Sequence, residues 1–467
     1  MPSADLAVCV DFGSTFTKAA LVDLTEGRIL ASADHPTTLP TSGGGTDVLD
    51  GYDACLARLA EADPRAGAAE VHACSSAGGG LRIAVVGNEE LVTAEAGRRV
   101  ALSSGGKVVA VVAAAGRAGV EPYRDLRETA RPDVVLLTGG TDGGNSEVLL
   151  RAARDLVASG WSGPVVVAGN VEARDEVGEI LGDVPHVLAD NVVPRIGVLA
   201  PESARAAIRE MFLAHVIGGK HLSSRADFTA MVRGATPDVV LTGVELLARG
   251  LDDAHPGVGD VVVVDVGGAT TDVHSVVEVD PDTALTEGGL AREVVATTPV
   301  TRTVEGDLGM RWSAVSTVEE AGLPELAEAA RHRHDDPAFL PVSPEDRADD
   351  ESIARAAVGL ALRRHAGRSR VVVSPEGRVV ERSGKDLREV GLVVGSGGVL
   401  RHSEPGASDR ILADSIGPDL ESGWQLPRAA QVVVDTDYVL AAAGLLAGRH
   451  PVAAYRLVLR LLPVPAV

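Results

Sequence analysis

The 467-residue chain carries 43 Lys and Arg against 66 Asp and Glu, a formal net charge of −23. That balance argues against nucleic-acid and membrane-surface partners, which need basic patches, and 3% aromatic residues leave little for base stacking. With 45% hydrophobic and 23% charged residues the composition is that of a folded globular chain of several domains.

Cys9, Cys55 and Cys74 are odd in number and lack metal-ligand spacing, which fits a reducing cytoplasm. The N-terminus has no basic segment followed by an apolar one, and no apolar run reaches the ~18 residues that span a bilayer. The expectation is a cytoplasmic protein without membrane segments.

Apolar runs recur down the chain: Leu6–Val10, Ile83–Val86, Val108–Val112, Val134–Leu137, Val165–Ala168, Val261–Val264 and Leu392–Val394. Their continuous apolar character predicts strands covered on both faces. Between many of them lie helix-like segments, Asp53–Ala62, Glu89–Ala101, Glu147–Ala158, Glu172–Leu181 and Pro201–Leu213, so the fold class is α/β with largely parallel sheets. The array from about Glu70 to Asn191 is the most regular, with polar Gly-rich loops such as Thr138–Asn145 after its strands. Such a loop at the C-terminal end of a strand either binds a ligand or shapes a tight βα turn. The His-, Asp- and Arg-rich stretch Arg331–Asp350 reads as an exposed excursion, and Glu351–His365 as an amphipathic helix.

One internal echo matters most. Asp11-Phe12-Gly13-Ser14-Thr15-Phe16-Thr17-Lys18 aligns without gaps on Asp265-Val266-Gly267-Gly268-Ala269-Thr270-Thr271-Asp272, each following an apolar strand. The repeat predicts two related domains facing each other across a cleft. Glycine turns let backbone N–H groups approach phosphate oxygens. Ser14, Thr15, Thr17, Thr270 and Thr271 add hydroxyls, and Lys18 adds a positive charge. Asp11 and Asp265, at strand ends, suit Mg²⁺ held largely through its waters. A third Gly loop, Gly395-Ser396-Gly397-Gly398, follows a buried strand and can lie flat against a nucleoside. An ordinary tight turn is the alternative for each of the three. Asp435–Tyr438 precedes the Ala-rich segment Val439–Ala447, read either as a pivot helix or as a capped core helix. Glu305, Asp307 and Arg311 read equally as an ion-pair cluster or as nucleotide or partner contacts.

These three motifs, in this order, resemble the phosphate-1, phosphate-2 and adenosine motifs of the actin-like ATPase superfamily. More narrowly the chain resembles the MutL (GlmL) accessory proteins of glutamate mutase, unrelated to the mismatch-repair protein of that name. The resemblance is carried by Val8–Lys18, Cys74–Arg82, Leu137–Asn145, Asp265–Asp272 and Thr303–Arg311. It implies two actin-like ATPase (ribonuclease H-like) domains around a nucleotide cleft, with an inserted Rossmann-like βα region. The layout is then residues 1–69 as the first part of domain I and 70–200 as the insertion. Residues 201–260 are a helical connection, 261–390 form domain II with the excursion at 331–350, and 391–467 carry the adenosine loop and return to domain I.

Carried over to this chain, the resemblance makes Asp11, Asp265 and Asp272 the catalytic carboxylates, with Asp11 and Asp265 holding Mg²⁺. Gly13, Ser14, Thr15, Thr17, Lys18, Gly267, Gly268, Thr270 and Thr271 would bind the phosphates of ATP or ADP, and Gly395, Ser396, Gly397 and Gly398 the adenosine. The implied role is a weak Mg-dependent ATPase that assists, as a reactivating chaperone, an adenosylcobalamin-dependent glutamate (methylaspartate) mutase. The implied partners are the mutase subunits, with no nucleic acid or membrane and with a homo-oligomer left open. None of the twelve His lies in an Asp-x-His-x-x-Gly cobalamin motif, so the expected action is on the enzyme rather than on a carried corrin. A small-molecule kinase and a non-catalytic nucleotide-dependent scaffold stay open as alternatives.

Overall fold

A computed structural model of the chain describes residues 5–40, 46–115, 119–278, 298–374, 377–417, 419 and 422–463. The chain divides into two units. One holds the described residues up to Thr242 together with Ala441–Ala454; the other runs from Gly243 to Leu440 and resumes at Tyr455.

In the first unit the strands β1 (Leu6–Phe12), β2 (Phe16–Asp23), β3 (Arg28–Pro36) and β4 (Glu70–Ser75) come first. A second sheet follows, made of β5 (Leu81–Gly87), β6 (Gly106–Ala113), β7 (Val134–Leu137), β8 (Val165–Val167) and β9 (His186–Leu188). The chain then returns to the first sheet as β10 (Val232–Ala235), giving the order β10-β4-β1-β2-β3. β1, β2 and β3 pair antiparallel, whereas β4 is parallel to both β1 and β10. The regular βα array thus begins at Leu81 rather than at Glu70, because β4 pairs with β1.

The second sheet, β6-β5-β7-β8-β9, is parallel throughout. Its alternate residues feed two cores. Ile83, Val85, Val134, Leu136 and Val166 pack on the first sheet's side, and Ala84, Val86, Val135, Leu137, Val165 and Val167 on the other. Burial on both faces is why these strands read as unbroken apolar runs. The helix Glu147–Ala158 seals the far face with Leu149, Ala152, Ala153 and Leu156, a single stripe at helical spacing.

The second unit opens with the short hairpin β11 (Gly250–Asp252) and β12 (His255–Pro256), followed by β13 (Val261–Val266), β14 (Thr271–Val276) and β15 (Val300–Glu305). Next come the hairpin β16 (Arg368–Ser374) and β17 (Gly377–Ser383), then β18 (Leu392–Ser396) and β19 (Gln431–Val434). The main sheet has the order β15-β14-β13-β18-β19, with β13, β14 and β15 antiparallel and β18 and β19 parallel to β13. Strand by strand this repeats the first sheet: β1 corresponds to β13, β2 to β14, β3 to β15, β4 to β18 and β10 to β19. Three antiparallel strands extended by two parallel ones is the ribonuclease H-like sheet, so each unit carries the domain of the actin-like ATPase fold.

The stretch Arg331–Asp350, expected as an exposed excursion, is helical up to Asp335 and again from Pro344. Its middle exposes Leu340 and Val342, but Arg333 is 1% exposed and forms an ion pair with the buried Asp350. The second helix, Pro344–His365, starts earlier than its Ala-rich core suggests because Ser343 and Asp346 form a capping box. It buries Ile353, Ala354, Ala357, Val358, Ala361 and Leu362 against the sheet.

Candidate phosphate-binding turns

The two echoed segments form hairpins of identical register. Asp11 pairs with Lys18 and Phe12 with Thr17; Asp265 pairs with Asp272 and Val266 with Thr271. Each four-residue turn closes on its glycine: the Gly13 N–H donates to Phe16 O at 3.1 Å, and the Gly267 N–H to Thr270 O at 2.9 Å. A Cβ would lie 2.7 Å from Phe16 O at the first glycine and 2.9 Å from Thr270 O at the second, so glycine is dictated by the turn itself. Each Asp sits one residue before its strand ends, not at the end.

The turns expose donors because their acceptors are taken. Thr37 Oγ1 donates to Gly13 O and Thr37 N–H to Thr15 O, both at 2.8 Å. In the second unit Met310 N–H donates to Gly267 O at 2.9 Å, Arg311 N–H to Gly268 O at 2.8 Å and Ser313 Oγ to Ala269 O at 2.6 Å. Among the described residues no acceptor takes the N–H groups of Ser14, Thr15, Gly268 or Ala269. Carbonyls held from behind and amides left at the tip are what a phosphate requires of a turn.

Within the first unit Asp11 is 8% exposed. Its Oδ1 accepts the Thr236 hydroxyl at 2.6 Å and lies 3.7 Å from the Cys74 thiol, and Lys18 Nζ is 4.0 Å from its Oδ2. Burial, with the Asp11 charge next, pushes the Cys74 thiol far up, so it is an inert neighbour rather than a nucleophile. Cys9 lies buried inside β1, as its strand position suggests.

Ser14 and Thr15 are exposed at the tip. Thr17 and Thr271, expected to offer hydroxyls to phosphate, are fully buried. Thr17 Oγ1 meets Thr37 Oγ1 at 3.3 Å and Thr271 Oγ1 donates to Leu308 O at 3.1 Å. They brace the turns from below.

In the second unit Asp265 is half-buried on β13, directly across from Ser396 of β18. Asp272 is engaged: Arg302 donates to its Oδ1 through Nη2 at 2.6 Å and Nε at 3.0 Å, and Thr270 Oγ1 donates to its Oδ2 at 3.2 Å. The Gly395–Gly398 loop stands beside this hairpin. Gly397 has φ +102°, and a Cβ there would be 2.2 Å from Val266 O. A Cβ at Gly395 would press on Leu400 and Leu412 at 3.0 and 3.1 Å, while Gly398 opens onto space. Gly395 and Gly397 are therefore explained by packing, and Ser396 is buried. Arg401 stacks on Tyr438 at 3.7 Å just past this loop.

Glu305 and Asp307 both pair with Arg364, at 2.9 and 2.7 Å, and Arg311 reaches Asp350 at 3.4 Å. All three residues are thus in ion pairs, but with Arg364 and Asp350 rather than with one another, and these pairs anchor the segment that holds the second turn. Asp435 accepts from Val439 N–H at 2.7 Å and Leu440 N–H at 3.1 Å, the capped-helix arrangement. Thr37, Thr236 and Arg302 were not visible as site residues in the sequence, because no motif surrounds them and only strand pairing brings them to the turns.

Among the described residues the group with metal-ligand geometry is Glu70, His72 and His450, at the start of β4 and away from the Gly13 turn of the same unit. Arg233 Nε lies 3.4 Å from His72 Nδ1 and Arg449 is 3.7 Å from Glu70, so cations already serve this cluster. No helix among the described residues is long and apolar enough to cross a membrane.

Known proteins can be set beside this geometry. Protein MutL of Clostridium tetanomorphum is 35% identical over 475 residues, covering 97% of this chain and 98% of its own. Among solved structures, nucleotide-free acetone carboxylase superposes with a TM-score of 0.40 at 16% identity, covering 95% of this chain and 70% of that one. Gluconate kinase from Lactobacillus acidophilus gives 0.35 at 9% identity, covering 98% and 92%. The MutL protein family model matches residues 7–462, and with that match the chain belongs to the MutL protein family.

Proposed function

We propose that the chain binds ATP with Mg²⁺ and hydrolyses it slowly, as an accessory protein to an adenosylcobalamin-dependent mutase of the glutamate mutase kind. The observation that carries this reading is the shared register of the two hairpins, with turn amides left as donors above a strand-borne carboxylate. In this reading the amides of Ser14, Thr15, Gly268 and Ala269, the Ser14, Thr15 and Thr270 hydroxyls and Lys18 hold phosphate oxygens. Asp11 and Asp265 hold Mg²⁺ through its waters. The Gly395–Gly398 loop, beside Arg401 and Tyr438, receives the nucleoside. Bound Mg²⁺ would neutralise charge developing on the phosphates, and the chain's own part is positioning. Family membership supports the mutase partnership, the protein acting on its partner rather than turning over a metabolite.

A kinase of the same fold would need a carboxylate base able to take a substrate proton. Asp265 or Asp272 could serve; Asp272 is already bound by Arg302, and Asp265 is taken in this reading by Mg²⁺, which favours the accessory reading over the kinase.

The test is phosphate release from ATP with and without Mg²⁺ in wild type, Asp11→Ala and Asp265→Ala. Turnover that depends on Mg²⁺ and disappears in both variants is expected; unchanged turnover in both ends the proposal. Capture of purified glutamate mutase subunits, with and without ATP, tests the partnership separately.

A further inference from the structure

The parallel sheet of the first unit carries a feature that the phosphate turns do not use. Numbered from its own first strand, β6-β5-β7-β8-β9 has the order 2-1-3-4-5. The chain steps outward from β5 to β6 and then back past β5 to β7, so the topological switch point lies between β5 and β7. Open parallel sheets bind ligands at the C-terminal ends of the strands at such a point.

Two segments meet there: Asn88, just after β5, and Thr138-Gly139-Gly140-Thr141, just after β7. A Cβ on Gly139 would lie 2.3 Å from Asn88 Oδ1, so the Asn88 side chain sits directly over that glycine. Asn88 is 4% exposed, and its Oδ1 is buried without a hydrogen-bond partner among the described residues. Gly139 and Gly140 have φ of +146° and +71° and are both buried.

Three of the loop's carbonyls are served from the β8 and β9 side. Asn170 N–H donates to Gly139 O at 2.9 Å, Asn191 Nδ2 to Gly140 O at 2.9 Å and Asn170 Nδ2 to Gly144 O at 3.1 Å. Among the described residues the N–H groups of Gly139, Gly140 and Thr141 find no acceptor. Buried donors and acceptors in native proteins are normally paired, so three successive donors and an orphaned acceptor beside them ask for a ligand.

The charges nearby select its chemistry. Asp142 and Glu172 are built into the loop, accepting from Val171 N–H at 3.2 Å and Gly143 N–H at 2.8 Å. Among the described residues no Lys or Arg bonds to Asn88 or to Thr138–Asn145. A phosphate would meet acidic neighbours without a cation. A primary carboxamide matches both halves of the site: its carbonyl accepts from the N–H row and its NH₂ donates to Asn88 Oδ1.

We propose that the C-terminal ends of β5 and β7, at Asn88 and Gly139–Thr141, bind an uncharged ligand through a primary carboxamide. This site stands independently of the nucleotide reading.

Nicotinamide serves as the probe, with the full chain labelled with ¹⁵N and inorganic phosphate as the competing chemistry. Nicotinamide should shift the Gly139 and Gly140 amide resonances of the unmutated chain and receive saturation transfer from it. Asn88→Ala should weaken that transfer about fivefold, the worth of one lost hydrogen bond, whereas Asp11→Ala should leave it unchanged. Glycine amides that do not move with nicotinamide, or that move with phosphate instead, overturn the proposal without reference to any variant. Equal transfer in wild type and a folded Asn88→Ala protein also overturns it.

Discussion

Thr236, the first residue after β10, donates its hydroxyl to Asp11 Oδ1 at 2.6 Å, across 225 residues of sequence. Asp11 is nearly buried, with Lys18 at 4.0 Å on its other oxygen, so the hydroxyl fixes which oxygen faces the turn. Thr236→Val removes the donor and leaves the buried carboxylate oxygen with only the weak Cys74 thiol donor at 3.7 Å. The expected loss of unfolding free energy in urea is about 1–3 kcal/mol, with Thr236→Ser close to wild type. Equal stability of the Val and Ser variants would show that the bond contributes nothing.

Five glycines of the three turns separate into two groups. At Gly13, Gly267 and Gly397 a Cβ would lie 2.7, 2.9 and 2.2 Å from a backbone oxygen, a contact that only backbone movement relieves. At Gly268 the nearest atom is Arg311 Cβ at 3.5 Å, and at Gly398 there is nothing within 4 Å. Alanine at the first three positions should therefore cost about 1–3 kcal/mol each, and alanine at Gly268 or Gly398 under about 1 kcal/mol. If Gly268→Ala or Gly398→Ala keeps its melting temperature but loses ATP binding, that glycine serves the ligand. Thermal unfolding alongside a nucleotide titration reads both quantities.

The hairpins were legible because Asp, Gly and Thr recur at the same offsets in both. Which way each threonine faces was legible too, had the register been drawn. A four-residue turn closed by Gly13 sets Phe12 opposite Thr17, and Phe12 is core, so Thr17 must turn inward beside it. The rest of the duplication was hidden. Glu-Val-His-Ala-Cys-Ser of β4 and Leu-Val-Val-Gly-Ser of β18 share no pattern, yet both lie parallel to the Asp-bearing strand. Position in a sheet comes from pairing, which a single sequence does not display. Arg333 was hidden for a related reason: among charged neighbours nothing marks it as buried until Asp350 is placed against it.

That pair gives a third prediction. Arg333 donates to Asp350 Oδ1, to Ala329 O at 2.9 Å and to Asp346 O at 2.9 Å, and its guanidinium lies 5.1 Å from the Phe339 ring. Removing one member leaves the other charge buried, which typically costs about 3–5 kcal/mol. Asp350→Ala should therefore be among the most destabilising single changes in the second unit. The double variant Arg333→Met with Asp350→Leu should recover much of the loss, because the fully buried guanidinium is gone and the part-buried Arg311 keeps Met310 O and Phe339 O as acceptors. Urea midpoints of the two proteins measure this; a double variant no more stable than Asp350→Ala would contradict it.

Stability should fall on mild acidification because of two buried histidines in the second unit. Burial, reinforced by Arg302, lowers His274 to about 3; burial, reinforced by Lys385 and His274, lowers His365 to about 3. His365 Nε2 lies 2.8 Å from Ser275 Oγ and its Nδ1 2.9 Å from Thr303 Oγ1, an arrangement that suits the neutral ring. Both groups stay neutral in the folded chain but protonate near 6.5 once unfolded. Below that pH the unfolded state binds more protons, so stability is fully present above 6.5 and is lost as pH falls toward about 3. Each histidine contributes a slope of up to about 1.4 kcal/mol per pH unit within that window. Between pH 6.5 and 5, above the range where most carboxylates titrate, the slope of unfolding free energy should be clearly positive with pH. His365→Gln, which keeps one donor and one acceptor, should remove the His365 share and leave those of His274 and of His72, whose imidazole burial also lowers. A slope unchanged by this substitution would place the acid sensitivity elsewhere.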